Sequence, residues 1–199
     1  HFFSGSGAQQ FERLSGWLLP CSTRFWNDDE GEKYRQSYFD RYPDVWCHGD
    51  FVSLNLNGGM IFYGRSDTTL NRGGIRIGTA EIYRQVEKLT EVLESIVVEQ
   101  NWQDDVRVVL FVKLKDGLQL DEQLKGIICT QIRSNTSPRH VPDVIIQVSD
   151  IPKTKSGKIV ELAVQKAIHN LPIDNKTALD NPEVMQEYYQ LCSGPNSLL

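Results

Sequence analysis

The sequence predicts an α+β fold: a β-hairpin followed by a small α+β domain with a three-stranded sheet and flanking helices. Three observations carry that prediction. The turn signal Asn57-Gly58-Gly59 separates the run Phe51-Val-Ser-Leu-Asn-Leu56 from the alternating run Met60-Ile-Phe-Tyr63, which is how a hairpin reads. Downstream, segments follow in the order helix, strand, strand, helix, strand, helix over about 100 residues, a usual size for a small domain. Two connections, at 64–78 and 151–158, concentrate Gly, Arg and Lys.

Residues 1–20 hold Gly-Ser-Gly and Gln-Gln with little periodicity and read as a disordered leader outside the fold. Tyr34, Tyr38 and Phe39 recur at helical spacing within 31–40, giving a short helix with one packed face, which Pro43 ends. In the hairpin that follows, Asp50 and Arg65 sit near the two open ends and so lie close together. Thr79 is a good N-cap for a helix over 79–88 that buries Ile82, Val86 and Leu89. The β-branched runs 92–100 and 106–113 read as neighbouring strands. Lys115-Asp-Gly117 is a turn, and Asp121 caps a helix to about 134 with Leu124, Ile127, Ile128 and Ile132 apolar. The rigid loop Pro138-Arg-His-Val-Pro142 precedes a strand over 143–148. A second loop then leads to a helix over 160–169 that carries Leu162, Val164 and Ile168. From Leu171 the chain is polar, with Asp174, Asn175 and Asn181-Pro182, and reads as a tail that docks loosely or stays disordered.

A chain of 199 residues has room for one ordinary domain plus appendages. Its 40% apolar content supports a core and argues against general disorder. The net charge of −5 gives no bulk attraction to nucleic acid or an anionic membrane, so any anion site is local. No apolar run reaches the length of a membrane span, and no leader has the pattern of a signal peptide. Cys21, Cys47, Cys129 and Cys192 include no Cys-x-x-Cys pair. That argues against a zinc site or a disulfide framework and for a reducing, cytoplasmic setting; no metal ligands are expected.

Two stretches carry candidate chemistry. Between Gly64 and Glu81 lie Arg65, Asp67, Arg72 and Arg76, around Gly73-Gly74. Adjacent glycines open backbone angles closed to other residues and let a ligand approach exposed N–H groups. Arginines beside such a turn suit phosphate. By itself the stretch is equally a strand-to-helix loop with solvated charges. The second, Lys153-Thr-Lys-Ser-Gly-Lys158, is not a P-loop: position 152 is proline and 159 isoleucine, so the first glycine and the metal-binding hydroxyl are absent. Alone it reads as a solvated basic loop. His48-Gly-Asp50, likewise, reads alone as an aspartate at a hairpin start.

Together these stretches resemble the adenylate-forming acyl-CoA synthetases. Gly64-Arg-x-Asp67, then Asn71, the glycine pair, Arg76 and Gly78-Thr-Ala-Glu-Ile82, is similar to that family's hinge motif. Pro152-Lys-Thr-x-Ser-Gly-Lys158 is similar to its terminal signature, and His48-Gly-Asp50 stands where the family carries Thr-Gly-Asp. Phe25-Trp-Asn-Asp28, Val45-Trp-Cys-His48, Ser66-Asp-Thr-Thr-Leu-Asn71 and Arg139-His-Val-Pro142 add a narrower likeness to the branch that activates acetoacetate.

The resemblance implies an acid–thiol ligase joining acetoacetate or another short carboxylic acid to CoA through an acyl-adenylate. ATP is consumed, and Mg²⁺ is bound mostly through phosphates in a large N-terminal domain absent from this sequence. Residues 21–66 would end that large domain, 67–172 would form a C-terminal domain swinging about Asp67, and 173–199 a polar tail. The piece alone would be inactive. Lys158 would be the catalytic residue. Asp50 would accept hydrogen bonds from the nucleotide ribose, and Arg65 would face the ribose or phosphates. Arg76 would brace the hinge region, and Gly73-Gly74 would guide the pantetheine thiol. Arg133 matches a position near the 3′-phosphate of CoA, or is a helix-end cation beside carbonyls. His48 is read as structural rather than catalytic. The alternative is a free-standing, non-catalytic module that binds CoA, a nucleotide or a protein partner.

Overall fold

A computed structural model describes residues 9–11, 25–42, 45–103, 105–173 and 176–193. The leader apart from Gln9–Phe11, together with Cys21, Pro43, Asp174 and Asn175, lies outside the described residues. The chain divides into two units, up to Thr69 and from Leu70 onward.

In the first unit, β1 (Gln9–Phe11), β2 (Asp50–Leu54) and β3 (Met60–Arg65) form an antiparallel sheet in the order β1-β2-β3. The leader, expected to be disordered, thus supplies a strand, with Gln9 opposite Leu54 and Phe11 opposite Val52. Strand β3 fills one edge of β2, and backbone hydrogen bonding fills the other without needing an apolar pattern. Strand β2 ends earlier than expected, because the Asn55 side chain draws its segment into the turn. Asn55 Oδ1 accepts the N–H groups of Asn57 (3.1 Å) and Gly59 (2.7 Å). Helix α1 (Glu32–Tyr38) begins where the Asp28 carboxylate accepts the N–H groups of Lys33 (3.0 Å) and Tyr34 (2.9 Å). From it a chain of rings runs Phe25, Tyr34, Tyr38, Trp46, His48, with successive centroids 5.6, 5.2, 5.4 and 5.0 Å apart.

The second unit opens with the hairpin β4 (Leu70–Arg72) and β5 (Ile75–Ile77), which the sequence reading took for loop. Helix α2 (Thr79–Val86) follows, then β6 (Val92–Trp102), β7 (Asp105–Leu114), α3 (Glu122–Asn135), β8 (Val144–Gln147), α4 (Glu161–Ile168) and α5 (Met185–Ser193). The sheet has the order β6-β7-β8, with β6 antiparallel and β8 parallel to β7. Alternate residues of β7 face opposite layers. Val109 and Phe111 pack with α4 and α5 through Val164, Ile168, Met185 and Tyr188. Val108, Leu110 and Val112 pack with α2 and α3 through Ile82, Val86, Ile128 and Ile132. Burial on both faces explains why these strands read as unbroken apolar runs.

Three expectations change in detail. Helix α2 is capped by Gly78, not Thr79: the Gly78 N–H donates to Glu81 Oε2 at 3.3 Å, while Thr79 is buried. Ile127 and Leu162 lie off the core stripes of their helices, at 42% and 41% exposure. The described part of the polar tail joins the core, because Leu179, Met185 and Tyr188 are all buried. No helix among the described residues is long and apolar enough to cross a membrane.

Candidate functional site

In the first unit the hairpin pairs Asp50 with Arg65 across its open end. His48 Nε2 lies 2.9 Å from Asp50 Oδ2, and Arg65 Nη1 lies 4.0 Å from Asp50 Oδ1. Arg65 donates to both carboxylate oxygens of Asp67, from Nε at 3.2 Å and Nη2 at 3.1 Å, and from Nη1 to the His48 carbonyl at 3.3 Å. The guanidinium lies over Gly49, where a Cβ would sit 3.0 Å from it. The Ser66 N–H (2.8 Å) and hydroxyl (3.1 Å) close the end by donating to the Gly49 carbonyl. The hydrogen bonds to Asp67, against the opposing effect of burial, push the Arg65 guanidinium above its ordinary value. His48, Asp50, Arg65 and Asp67 thus form one cluster. The Asp50 carboxylate, 21% exposed, lies between the His48 ring and the Arg65 guanidinium.

In the second unit Gly73 and Gly74, with φ of 57° and 78°, are the two-residue turn of β4–β5. Both positions need positive φ, so the turn alone accounts for the glycines. Arg72 fastens this hairpin to the 139–143 loop. Its Nη1 donates to the carbonyls of Val141 (2.7 Å) and Arg139 (3.3 Å), and its Nη2 pairs with the Asp143 carboxylate. Asp143 Oδ2 also accepts the Val108 N–H at 2.8 Å. Arg76 is exposed opposite Asn71, and Arg133 is exposed in the last turn of α3. Glu81 faces His140 Nε2 at 3.4 Å. Burial raises the Glu81 carboxyl, but His140 and the Gly78 N–H outweigh it and hold the group below its ordinary value.

The lysine loop is a tight hairpin. The Gly157 N–H donates to the Thr154 carbonyl (2.8 Å), and the Thr154 N–H to the Lys158 carbonyl (2.8 Å). Thr154 Oγ1 accepts the Lys158 N–H at 3.1 Å. Gly157, at φ 78°, takes the left-handed position that ends such a turn. Lys153 Nζ is ion-paired with Glu94. The Lys158 side chain is exposed and, among the described residues, makes no hydrogen bond or ion pair. Lys158, Arg133 and Gly73-Gly74 stand on separate elements and share no hydrogen bond. The sequence reading missed Asn181, whose amide bonds Lys153, Asp150 and Ile151; in the sequence it reads only as part of a polar tail.

Residues 84–158 match the family model of the AMP-binding enzyme C-terminal domain. The acetoacetyl-coenzyme A synthetase of Rhizobium meliloti (strain 1021) is 60% identical over 161 residues, covering 81% of this chain and 25% of that protein. The acetoacetyl-CoA synthetase of Rattus norvegicus is 44% identical over 173 residues, covering 85% of this chain and 26% of that protein. Among solved structures, the acetoacetyl-CoA synthetase from Streptomyces lividans aligns with a TM-score of 0.78 at 42% identity, covering 85% of this chain and 26% of that one. The chain spans about a quarter of the length of the curated relatives it matches. The hinge-type stretch and the lysine loop lie in a fold that these proteins share. The chain therefore belongs to the adenylate-forming superfamily and carries its AMP-binding enzyme C-terminal domain.

Proposed function

We propose that this chain is the C-terminal part of a longer cytoplasmic ligase that converts acetoacetate, ATP and CoA to acetoacetyl-CoA, AMP and pyrophosphate. The observation that carries this reading is Lys158, an exposed ammonium without a partner among the described residues, on a closed turn where the family match ends. In the first half-reaction a carboxylate oxygen of the acid attacks the α-phosphorus of ATP. The bond from that phosphorus to the bridging oxygen breaks, and pyrophosphate leaves with the electron pair. Both reactants are anionic, so a compact cation on a long stem that reaches both offsets their repulsion and holds them in line. Lys153 is unsuited to this, because its ammonium is engaged by Glu94.

In the second half-reaction the CoA thiol, losing its proton, attacks the acyl carbonyl and AMP departs. Asp67 serves as the pivot that withdraws Lys158 and brings up the Gly73-Gly74 turn, whose backbone N–H guides the pantetheine. Asp50 accepts the ribose hydroxyls, Arg65 faces the ribose or phosphates, Arg76 braces the hinge region, and Arg133 lies near the 3′-phosphate of CoA. Among the described residues no group of three His, Cys, Asp or Glu side chains is arranged to hold a metal. Mg²⁺ would be held mostly by the nucleotide phosphates, in the large N-terminal domain, and would offset their charge there. The matches to whole ligases give a free-standing binding module no support of their own.

The test is Lys158→Ala in the full ligase. Acid-dependent ATP–pyrophosphate exchange is expected to fall about 10²–10³-fold, the loss typical of removing one group that stabilises developing charge. Thioester formation from supplied acetoacetyl-adenylate is expected to stay near normal. Equal loss in both half-reactions would remove Lys158 from the proposed role.

A further inference from the structure

The lysine loop is held by a segment that lies beyond the family match, which ends at Lys158. Residues 178–181 run along the outer side of 153–155. The Lys155 N–H donates to the Ala178 carbonyl (3.2 Å), the Asp180 N–H to the Lys153 carbonyl (2.9 Å), and Thr154 bridges Leu179. On its inner side Lys153 bridges Ile159, so 153–154 is the middle strand of three. Asn181 then ties this layer to the chain before it. Its Oδ1 accepts the Lys153 N–H (3.1 Å), and its Nδ2 donates to Asp150 Oδ2 (2.9 Å) and the Ile151 carbonyl (3.0 Å). Asp150 is itself fixed, pairing with Lys113 Nζ of β7 at 2.7 Å and accepting the Tyr188 hydroxyl on its carbonyl at 3.0 Å. Glu187 accepts the Ser149 N–H at 3.1 Å, and Leu179, Met185 and Tyr188 are buried beneath.

We infer that residues 176–193 are a strap that aims the lysine loop for adenylation, with Asn181 as its positioning residue. This rests on the role proposed above for Lys158. A lysine side chain is flexible, so the region its ammonium samples is set by how firmly its backbone is anchored. Here the turn closes on itself through Thr154, and on its outer side the backbone of 153–155 is bonded to the strap. Loosening the strap spreads the ammonium over orientations that do not bridge carboxylate and phosphate, a loss of preorganisation that lowers kcat more than it raises KM. An amide suits position 181 because it donates and accepts at once. A carboxylate there keeps one acceptor, loses both donors and faces Asp150.

The experiment compares Asn181→Ala and Asn181→Asp. In the 199-residue chain, amide hydrogen exchange at Lys153, Lys155 and Asp180 should quicken about tenfold, while the amides of β6 and β7 keep their protection. In the full ligase, acid-dependent ATP–pyrophosphate exchange should lose about tenfold in kcat with KM for ATP little changed. Thioester formation from supplied adenylate should be unaffected, and the aspartate should be at least as harmful as the alanine. Unchanged exchange at the loop amides overturns the strap. A normal adenylation kcat, or equal loss in both half-reactions, overturns the positioning role. Failure of the underlying reading looks different: an unaltered ligase with no acid-dependent exchange, or one indifferent to Lys158→Ala, removes the ligase proposal. The loop amides still decide whether the strap holds.

Discussion

The turn that carries Lys158 can be weakened without touching the lysine, at Gly157. Its φ is 78°, and a Cβ built there meets no heavy atom within 4 Å. Gly157→Ala therefore costs only backbone energy, about 1–2 kcal/mol for an L-residue in the left-handed region. Alanine also restricts the unfolded chain, which returns roughly 0.4–1 kcal/mol. The net cost is about 0–1.6 kcal/mol, up to roughly fifteenfold in the closed-turn population. Asparagine tolerates left-handed backbone and should recover much of the loss, whereas β-branched valine should exceed alanine. The assay is amide exchange at Thr154 and Lys158, the two N–H groups that close the turn from opposite ends, beside the rate of adenylation in the full ligase. The expected order of protection and rate is Gly, Asn, Ala, Val. Wild-type protection in the valine variant would refute the reasoning. So would a global destabilisation by alanine above about 3 kcal/mol, since that is the size of a buried steric penalty and not of a backbone term alone.

Two further predictions concern the frame around the site. Arg72→Ala should destabilise the chain by about 1–3 kcal/mol in urea denaturation, because it leaves three acceptors of the 139–143 loop without their donor. Arg72→Lys should recover little, since a single ammonium cannot reproduce the guanidinium fork, and wild-type stability in the lysine variant would refute that account. Stability should also fall on the acid side. Burial raises Glu81 and Asp150, but His140 and the Gly78 N–H for one, and Lys113, Asn181 and the Ile151 N–H for the other, bring both below their ordinary values of 4.5 and 3.8. A lowered folded value contributes stability that is present above the unfolded value and lost as pH falls through the folded one. The hydrogen bond to Asp150 raises Lys113 above 10.5, so its contribution holds below that value and is lost as pH rises through the folded one. Melting temperature should be flat near neutrality and drop below about pH 4.5. A Glu81→Gln, Asp150→Asn double variant should flatten the acid limb, and an unchanged limb would assign it to other carboxylates.

What was legible in the sequence is what local chemistry alone decides. Asp121 announces a helix because its carboxylate can reach the N–H of Leu124, and it does so at 2.8 Å. The runs around Val97 and Leu110 announce buried strands because every second side chain meets one of two covering layers. The features that escaped depend on partners distant in sequence. Arg72 bonds carbonyls at positions 139 and 141, and a carbonyl has no residue signature. Strand β1 and the 178–181 layer join their neighbours through backbone groups, so a polar sequence hides them. Helix α5 puts Met185 and Tyr188 into the core at a spacing of three, but the polar residues around them dilute the periodicity that would have revealed it.

The turn around Lys158 is not special in its geometry. The hairpin of the first unit closes in the same way: the Gly58 N–H donates to the Asn55 carbonyl, the Asn55 N–H to the Gly59 carbonyl, and the Gly59 N–H to Asn55 Oδ1. Replace Asn55 by Thr154, Gly58 by Gly157 and Gly59 by Lys158, and the three bonds of the lysine loop result. What differs is the fifth residue and its surroundings. Both backbone groups of Lys158 are spent on the turn, while its side chain is engaged by nothing in the described chain. Five residues earlier, Lys153 shows the opposite state, with its ammonium held by Glu94. In the proposed cycle the cation has to arrive for adenylation and withdraw before the thiol attacks. An ammonium tied to a carboxylate would have to break and remake that pair in every turnover, with its desolvation and entropy each time. An anchored backbone with an unengaged side chain avoids that cost. By this argument Lys158, and neither Lys153 nor the turn itself, is the group proposed to carry the adenylation half-reaction.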